Sequence, residues 1–246
     1  MSHRSRPKTT GDPFGPTRWT PLVNLLLWGM TTMACWLNRP RVRGTVGTGP
    51  RILALNHVSY ADVYLASRAL VHWFEPIRFL AKSEVRHVPI MGWMTTHFRT
   101  IYVDRERPER AAIAATIKAA KEGPVVIFPE GTRSRSLSLQ QGKAGLGVVV
   151  RLSGVAVIPV SVVGTERKLW QLLLGWLVPG WRICLSLGDA YVPPPGMKAE
   201  AITSEVMRRI AANLPEGRRG VYGSRDATIT AAQPDRRPIA TLNQEK

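Results

Sequence analysis

Cysteine is nearly absent from this 246-residue chain, which carries only Cys35 and Cys184. Both sit among apolar neighbours, in no Cys-x-x-Cys or metal-ligand spacing. That excludes a disulfide-stapled scaffold and points to two small buried hydrophobes in a reducing compartment. His3, His72, His87 and His97 combine into no zinc pattern. The chain also lacks a Gly-x-Ser-x-Gly elbow, and neither cysteine has a plausible base nearby, so no nucleophile for a covalent intermediate stands out. Acidic residues are scarce as well: 17 Asp plus Glu against 34 Lys plus Arg leave a formal net charge of +17. Such an excess implies an anionic partner, nucleic acid or an anionic membrane surface, and charge alone does not choose between them.

The positions of the basic residues do. Met1 to Arg18 is a polar, basic arm. Trp19 to Leu37 then contains no charge, and as a helix it would reach about 28 Å, close to the hydrocarbon thickness of a bilayer. Pro21, Asn24, Gly29, Thr31 and Thr32 dilute it, and Asn38-Arg39-Pro40-Arg41 follows with no cleavage site, so a signal peptide is disfavoured. A monotopic anchor flanked by positive charge is the preferred reading, a single span the alternative. A second uncharged stretch, Leu169 to Trp181, sets tryptophans beside leucines between Arg167, Lys168 and Arg182. It reads equally as an interfacial segment or a core helix. Basic residues thus accompany apolar segments rather than aromatic stripes, which favours a membrane over nucleic acid.

Between these segments strand and helix signals alternate. Short strands are expected at Arg51–Leu55, Arg78–Ala81, Thr100–Val103, Val125–Phe128, Val155–Val163 and Arg182–Leu187. Helices are expected at Val63–Leu70, Pro108–Glu122, Ala144–Leu152 and Ala199–Asn213. The expected fold is α/β, a mixed, mostly parallel sheet covered by helices, with an N-terminal apolar membrane-anchoring helical segment. Residues 1–18 form the flexible arm, 19–40 the membrane-associating segment, 41–215 the folded domain and 216–246 a disordered tail.

Two segments carry chemistry, each directly after a hydrophobic strand. In Asn56-His57-Val58-Ser59-Tyr60-Ala61-Asp62, a carboxylate can accept one ring N–H of His57 and leave the other nitrogen as a general base. The pair meets only if His57 is in a loop and Asp62 in the first turn of a helix, because five helical residues rotate by about 500°. Alone, this spacing fits a structural histidine better than a catalytic one. In Phe128-Pro129-Glu130-Gly131-Thr132-Arg133-Ser134, Gly131 permits a tight turn and Arg133 offers a planar charged fork for a phosphate. Glu130 either orients that arginine or binds the acceptor.

Together these segments resemble the glycerophospholipid acyltransferase family, most closely the bacterial 1-acyl-sn-glycerol-3-phosphate acyltransferases. The first segment is similar to the family's His-x4-Asp block. Ile101-Tyr102-Val103-Asp104-Arg105 is similar to its second block, Phe128 to Ser134 to its third and Val157-Ile158-Pro159-Val160 to its fourth. Ala81-Lys82-Ser83-Glu84 resembles the segment between the first two. The resemblance implies His57 as general base and Asp62 as its orienting partner. It implies that Arg105 and Arg133 hold an acceptor phosphate, that Glu130, Gly131 and Thr132 shape that site, and that Lys82 is a further candidate for the same anion. Arg99 departs from the pattern, standing where the family usually has glycine.

The implied reaction is direct transfer of a fatty acyl group from acyl-CoA or acyl carrier protein to the free hydroxyl of 1-acyl-glycerol-3-phosphate, giving phosphatidate, with no cofactor and no metal. The implied place is the cytoplasmic face of the inner membrane, monotopic or single-pass. A lyso-ornithine lipid is an alternative acceptor. A non-catalytic basic protein binding membrane or nucleic acid is the reading from another class.

Overall fold

The computed structural model describes residues 40–45, 47–59, 62–63, 77–82, 85, 100–103, 109–166 and 182–223, together with positions 29, 33 and 36. Seven strands form one sheet: β1 (Arg41–Arg43), β2 (Arg51–Leu55), β3 (Arg78–Lys82), β4 (Ile101–Val103), β5 (Pro124–Ile127), β6 (Val157–Val163) and β7 (Cys184–Leu187). Three described helices accompany them: α1 (Glu109–Glu122), α2 (Gly145–Ser153) and α3 (Ala199–Ala212). Two 3-10 turns, Glu216–Arg218 and Gly220–Tyr222, close the described chain.

The strand order is β1-β7-β6-β2-β5-β3-β4. Every described pairing is parallel except β6 with β7. The expected mixed, mostly parallel sheet is therefore present, and apolar runs such as Val125-Val126-Ile127 read as central strands because both of their faces are buried. Ile52, Ala54, Val125 and Ile127 pack on α2 and α3 through Leu146, Val149, Ile202, Val206 and Ile210. Leu53, Leu55, Val126, Val160 and Leu185 form a second core cluster with Phe79 and Ile183. Helices α2 and α3 meet backbone to backbone: a Cβ on Gly147 would lie 1.9 Å from the Ala199 carbonyl oxygen, so only glycine fits there.

This topology sets where chemistry can occur. Strands β2 to β6 all point their carboxyl ends at the same edge of the sheet, where open α/β sheets bind ligands. Strand β7 runs the other way, so the row Val163, Cys184 and Arg41 also lies at that edge. β1 is a sheet edge, and its exposed Arg41 and Arg43 are charges of the kind that discourage a further strand from pairing.

Three differences from expectation appear. Arg-Val-Arg at 41–43 pairs as a strand although it has no apolar run, since its partner β7 supplies the ladder. Cys184 is half-buried rather than buried. The tail expected from residue 216 starts later. Residues 216–222 fold onto the domain: Tyr222 packs on the main core cluster, Leu139 N donates to Arg218 O at 2.9 Å, and Arg218 pairs with Glu166. One tyrosine and backbone hydrogen bonds dock this segment, so hydrophobic periodicity did not mark it. Residues 224–246 and the basic arm 1–18 lie outside the described residues, as does most of 19–37. Gly29, Met33 and Trp36 of that segment are helical, and Trp36 is 67% exposed. Among the described residues no helix is long and apolar enough to cross a membrane.

Candidate active site

Strand β2 ends at Leu55, and Asn56 extends its pairing with a side chain. Asn56 Nδ2 donates to Val162 O at 3.0 Å, and its Oδ1 accepts from Val162 N at 2.7 Å. The amide thus imitates one more residue of β-ladder while the main chain turns away. That frees His57 to leave the sheet, a role for Asn56 that sequence reading did not assign.

His57 and Asp62 meet as expected, from a loop and a helix start respectively. Asp62 N donates to Ser59 O at 3.2 Å, and Asp62 and Val63 are helical. Asp62 Oδ2 accepts from Val58 N at 2.7 Å and from Ser59 N at 2.8 Å, the reach of a capping box. The same oxygen lies 3.0 Å from His57 Nδ1. Asp62 is fully buried and the His57 side chain only 15% exposed. A carboxylate in that place holds the proton on Nδ1 and leaves Nε2 with its lone pair. The Phe128 ring stacks on the imidazole with centroids 4.1 Å apart, fixing the ring plane.

The second segment clamps the first. His57 N donates to Glu130 Oε1 at 2.9 Å, and Ser134 N donates to His57 O at 2.8 Å, so both backbone polar groups of His57 are held by the turn after β5. Glu130 Oε2 accepts from Gln140 N at 2.9 Å. Glu130 is 2% exposed and each carboxylate oxygen accepts a backbone N–H, so it pins two loops together. Sequence alone does not separate a surface acid from one that burial has turned into a bracket.

Burial pushes Glu130 above the ordinary 4.5 of a glutamate, against the pull of the two backbone N–H groups that favour its charged form. The native state then holds this proton more tightly than the unfolded chain. The contribution is present in full below about 4.5 and is lost as pH rises through the raised value. Glu130→Gln keeps the shape but sets an amide NH2 against one of the two N–H donors. It is expected to cost about 2 kcal/mol at neutral pH. The gap to wild type should narrow as pH rises above 4.5, because groups common to both proteins cancel. Urea unfolding of both proteins across that range measures it.

Gly131 turns the chain at φ +67°, and Thr132 and Arg133 are exposed beyond it. Lys82 ends β3 in register with Val103 of β4, two residues before Arg105. Arg105 and Arg99 lie outside the described residues, as do Tyr60 and Ala61. Leu137 adopts φ 61°, a left-handed conformation uncommon for a branched side chain, in a loop braced by Ser134 Oγ donating to Ser138 O at 2.6 Å. Among the described residues no group of three or more His, Cys, Asp or Glu side chains is placed to hold a metal ion.

A family model described as Acyltransferase matches residues 38–163, just over half of the chain and the whole of this site. The chain belongs to the acyltransferase family. Among curated members, the 1-acyl-sn-glycerol-3-phosphate acyltransferase of Chlamydomonas reinhardtii is 29% identical over 68% of this chain and 49% of its own length. The lyso-ornithine lipid O-acyltransferase of Pseudomonas aeruginosa is 31% identical over 58% of this chain and 55% of its own. This acyltransferase chain spans about half the length of the first curated relatives it matches. The crystal structure of the 1-acyl-sn-glycerophosphate acyltransferase from Thermotoga maritima has the same fold. Its TM-score is 0.55 at 22% identity, covering 80% of this chain and 81% of that one.

Proposed function

We propose that this protein transfers a fatty acyl group from an acyl thioester, of coenzyme A or acyl carrier protein, to the free hydroxyl of 1-acyl-glycerol-3-phosphate, giving phosphatidate. The observation that carries the reading is the 3.0 Å contact between His57 Nδ1 and a fully buried Asp62, set beside a glycine turn that ends in Arg133. In this mechanism His57 Nε2 takes the hydroxyl proton as the acceptor oxygen attacks the thioester carbonyl carbon. The carbon–sulfur bond breaks, and His57 returns the proton to the departing sulfur. Asp62 faces the imidazolium formed between the two steps. Arg133, with Arg105 and Lys82, binds the acceptor phosphate.

A membrane location is part of the proposal: the cytoplasmic face, monotopic or single-pass, on anionic phospholipid. The connectivity supports it. Val163 at the end of β6, Cys184 at the start of β7 and Arg41 at the start of β1 all lie at the edge that carries His57. The net charge of +17 suits that surface.

The Pseudomonas relative keeps a lyso-ornithine lipid as the second acceptor to test. Detergent-solubilised full-length protein is offered labelled acyl-CoA or acyl carrier protein with lysophosphatidate, glycerol 3-phosphate or lyso-ornithine lipid. The expected product is phosphatidate from lysophosphatidate. Product from lyso-ornithine lipid alone would replace the acceptor, and none from any combination would overturn the reading.

A further inference from the structure

Lys143 stands ten residues beyond Arg133, in the loop before α2, and belongs to none of the segments that suggested an anion site. Its main chain is fixed on both sides. Lys143 N donates to Pro129 O at 2.9 Å, its carbonyl accepts from Thr203 Oγ1 at 3.4 Å, and the preceding Gly142 N donates to Tyr222 Oη at 3.1 Å. From that anchor the side chain folds back over the glycine turn. Its Cδ, Cε and Nζ each lie 3.0 Å from the point where a Cβ on Gly131 would stand. The lysine stem therefore occupies the space that the missing side chain leaves, and its ammonium is delivered to the turn.

The segment is rich in cations. Between Pro129 and Lys143 the chain carries Arg133, Arg135 and Lys143 but a single acid, Glu130. Both Glu130 oxygens are committed to backbone amides in a buried position. Lys143 has no carboxylate partner among the described residues. A long, flexible cation pays rotamer entropy to lie against the turn, and an anion bound there offsets that cost.

We propose that Lys143 is a further binding residue for the acceptor's phosphomonoester, held at the Gly131 turn that leads into Arg133. This rests on the phosphate-bearing acceptor of the preceding section. It adds a reason for glycine at 131 besides the positive φ: a Cβ would push the ammonium away. Phosphate chemistry also occurs on a coenzyme A donor, so the two sources must be separated.

The full-length protein in detergent micelles is assayed with lysophosphatidate and acyl-CoA, each varied in turn, as wild type, Lys143→Ala, Lys143→Gln and Lys143→Arg. Glycerol 3-phosphate binding to the same four proteins is measured by calorimetry, so that the result does not depend on turnover. Lys143→Ala and Lys143→Gln are expected to raise the acceptor KM about tenfold or more, with kcat and donor KM within about twofold. Lys143→Arg should recover most of the loss, and glycerol 3-phosphate affinity should fall in parallel. An unchanged acceptor KM in active variants overturns the proposal and leaves the proposed reaction standing. So does a rise confined to the donor KM. If the wild type acylates only a phosphate-free acceptor yet loses glycerol 3-phosphate binding on Lys143→Ala, the anion site stands and the proposed reaction falls. A wild type that neither binds glycerol 3-phosphate nor uses lysophosphatidate overturns both.

Discussion

His57→Ala is expected to lower kcat for acyl transfer by about a thousandfold while leaving the acceptor KM within about threefold. The size follows from what the imidazole does in the proposed reaction. An alcohol attacks a thioester slowly until its proton is taken, and Nε2 is the lone pair that the Asp62 contact leaves available. A positioned base contributes about a hundredfold to ten-thousandfold, and nothing else in the described site replaces it. Fold damage should be modest. Asp62 keeps its bonds from the Val58 and Ser59 amides, while the stack on Phe128 is lost. The check is steady-state kinetics alongside urea unfolding. Residual kcat above a tenth of wild type in a folded variant would remove His57 from the proton transfer.

Asp62→Asn should lower kcat about a hundredfold, and for a different reason. An asparagine oxygen at the Oδ2 position still accepts from Val58 N, Ser59 N and His57 Nδ1, so the loop stays in place. What disappears is a full negative charge 3.0 Å from the ring, in a fully buried setting where solvent screens little. The imidazolium formed during transfer loses its counter-charge, and the barrier rises. Because the loss is electrostatic, kcat should remain low across the alkaline range rather than recover with pH. A pH–rate profile of the variant tests this. Wild-type kcat at any pH in a folded variant would show that the Asp62 charge does not assist the proton transfer.

The parts of this fold legible in the sequence are those whose physics is local. Val125-Val126-Ile127 and the run from Val157 read as central strands because both faces of each strand are buried, which demands unbroken apolar sequence. His57 and Asp62 were legible because a strand end fixes where a loop begins, and five-residue spacing lets the pair meet only from a loop and the first turn of a helix. Glu130, Asn56 and Tyr222 were not. Each works through a contact that depends on long-range folding: Glu130 with the amides of His57 and Gln140, Asn56 with Val162, Tyr222 with Gly142. No periodicity announces such partners. Lys143 was missed for the same reason, since its side chain matters through a glycine twelve residues away in the chain.

The bracket around Glu130 also bears on motion. Amides of His57, Ser134, Leu139, Gln140 and Gly142 all donate across segments that the chain brings together only by folding. Release of one leaves buried acceptors unpaired unless its neighbours release too, so these loops breathe as one cooperative unit instead of fraying residue by residue. Any rearrangement of the glycine turn between turnovers, for product departure or for the next acceptor, must wait for that shared opening. For any such rearrangement the frequency of that opening is the upper limit, and it lies in the backbone rather than in the chemistry of the base.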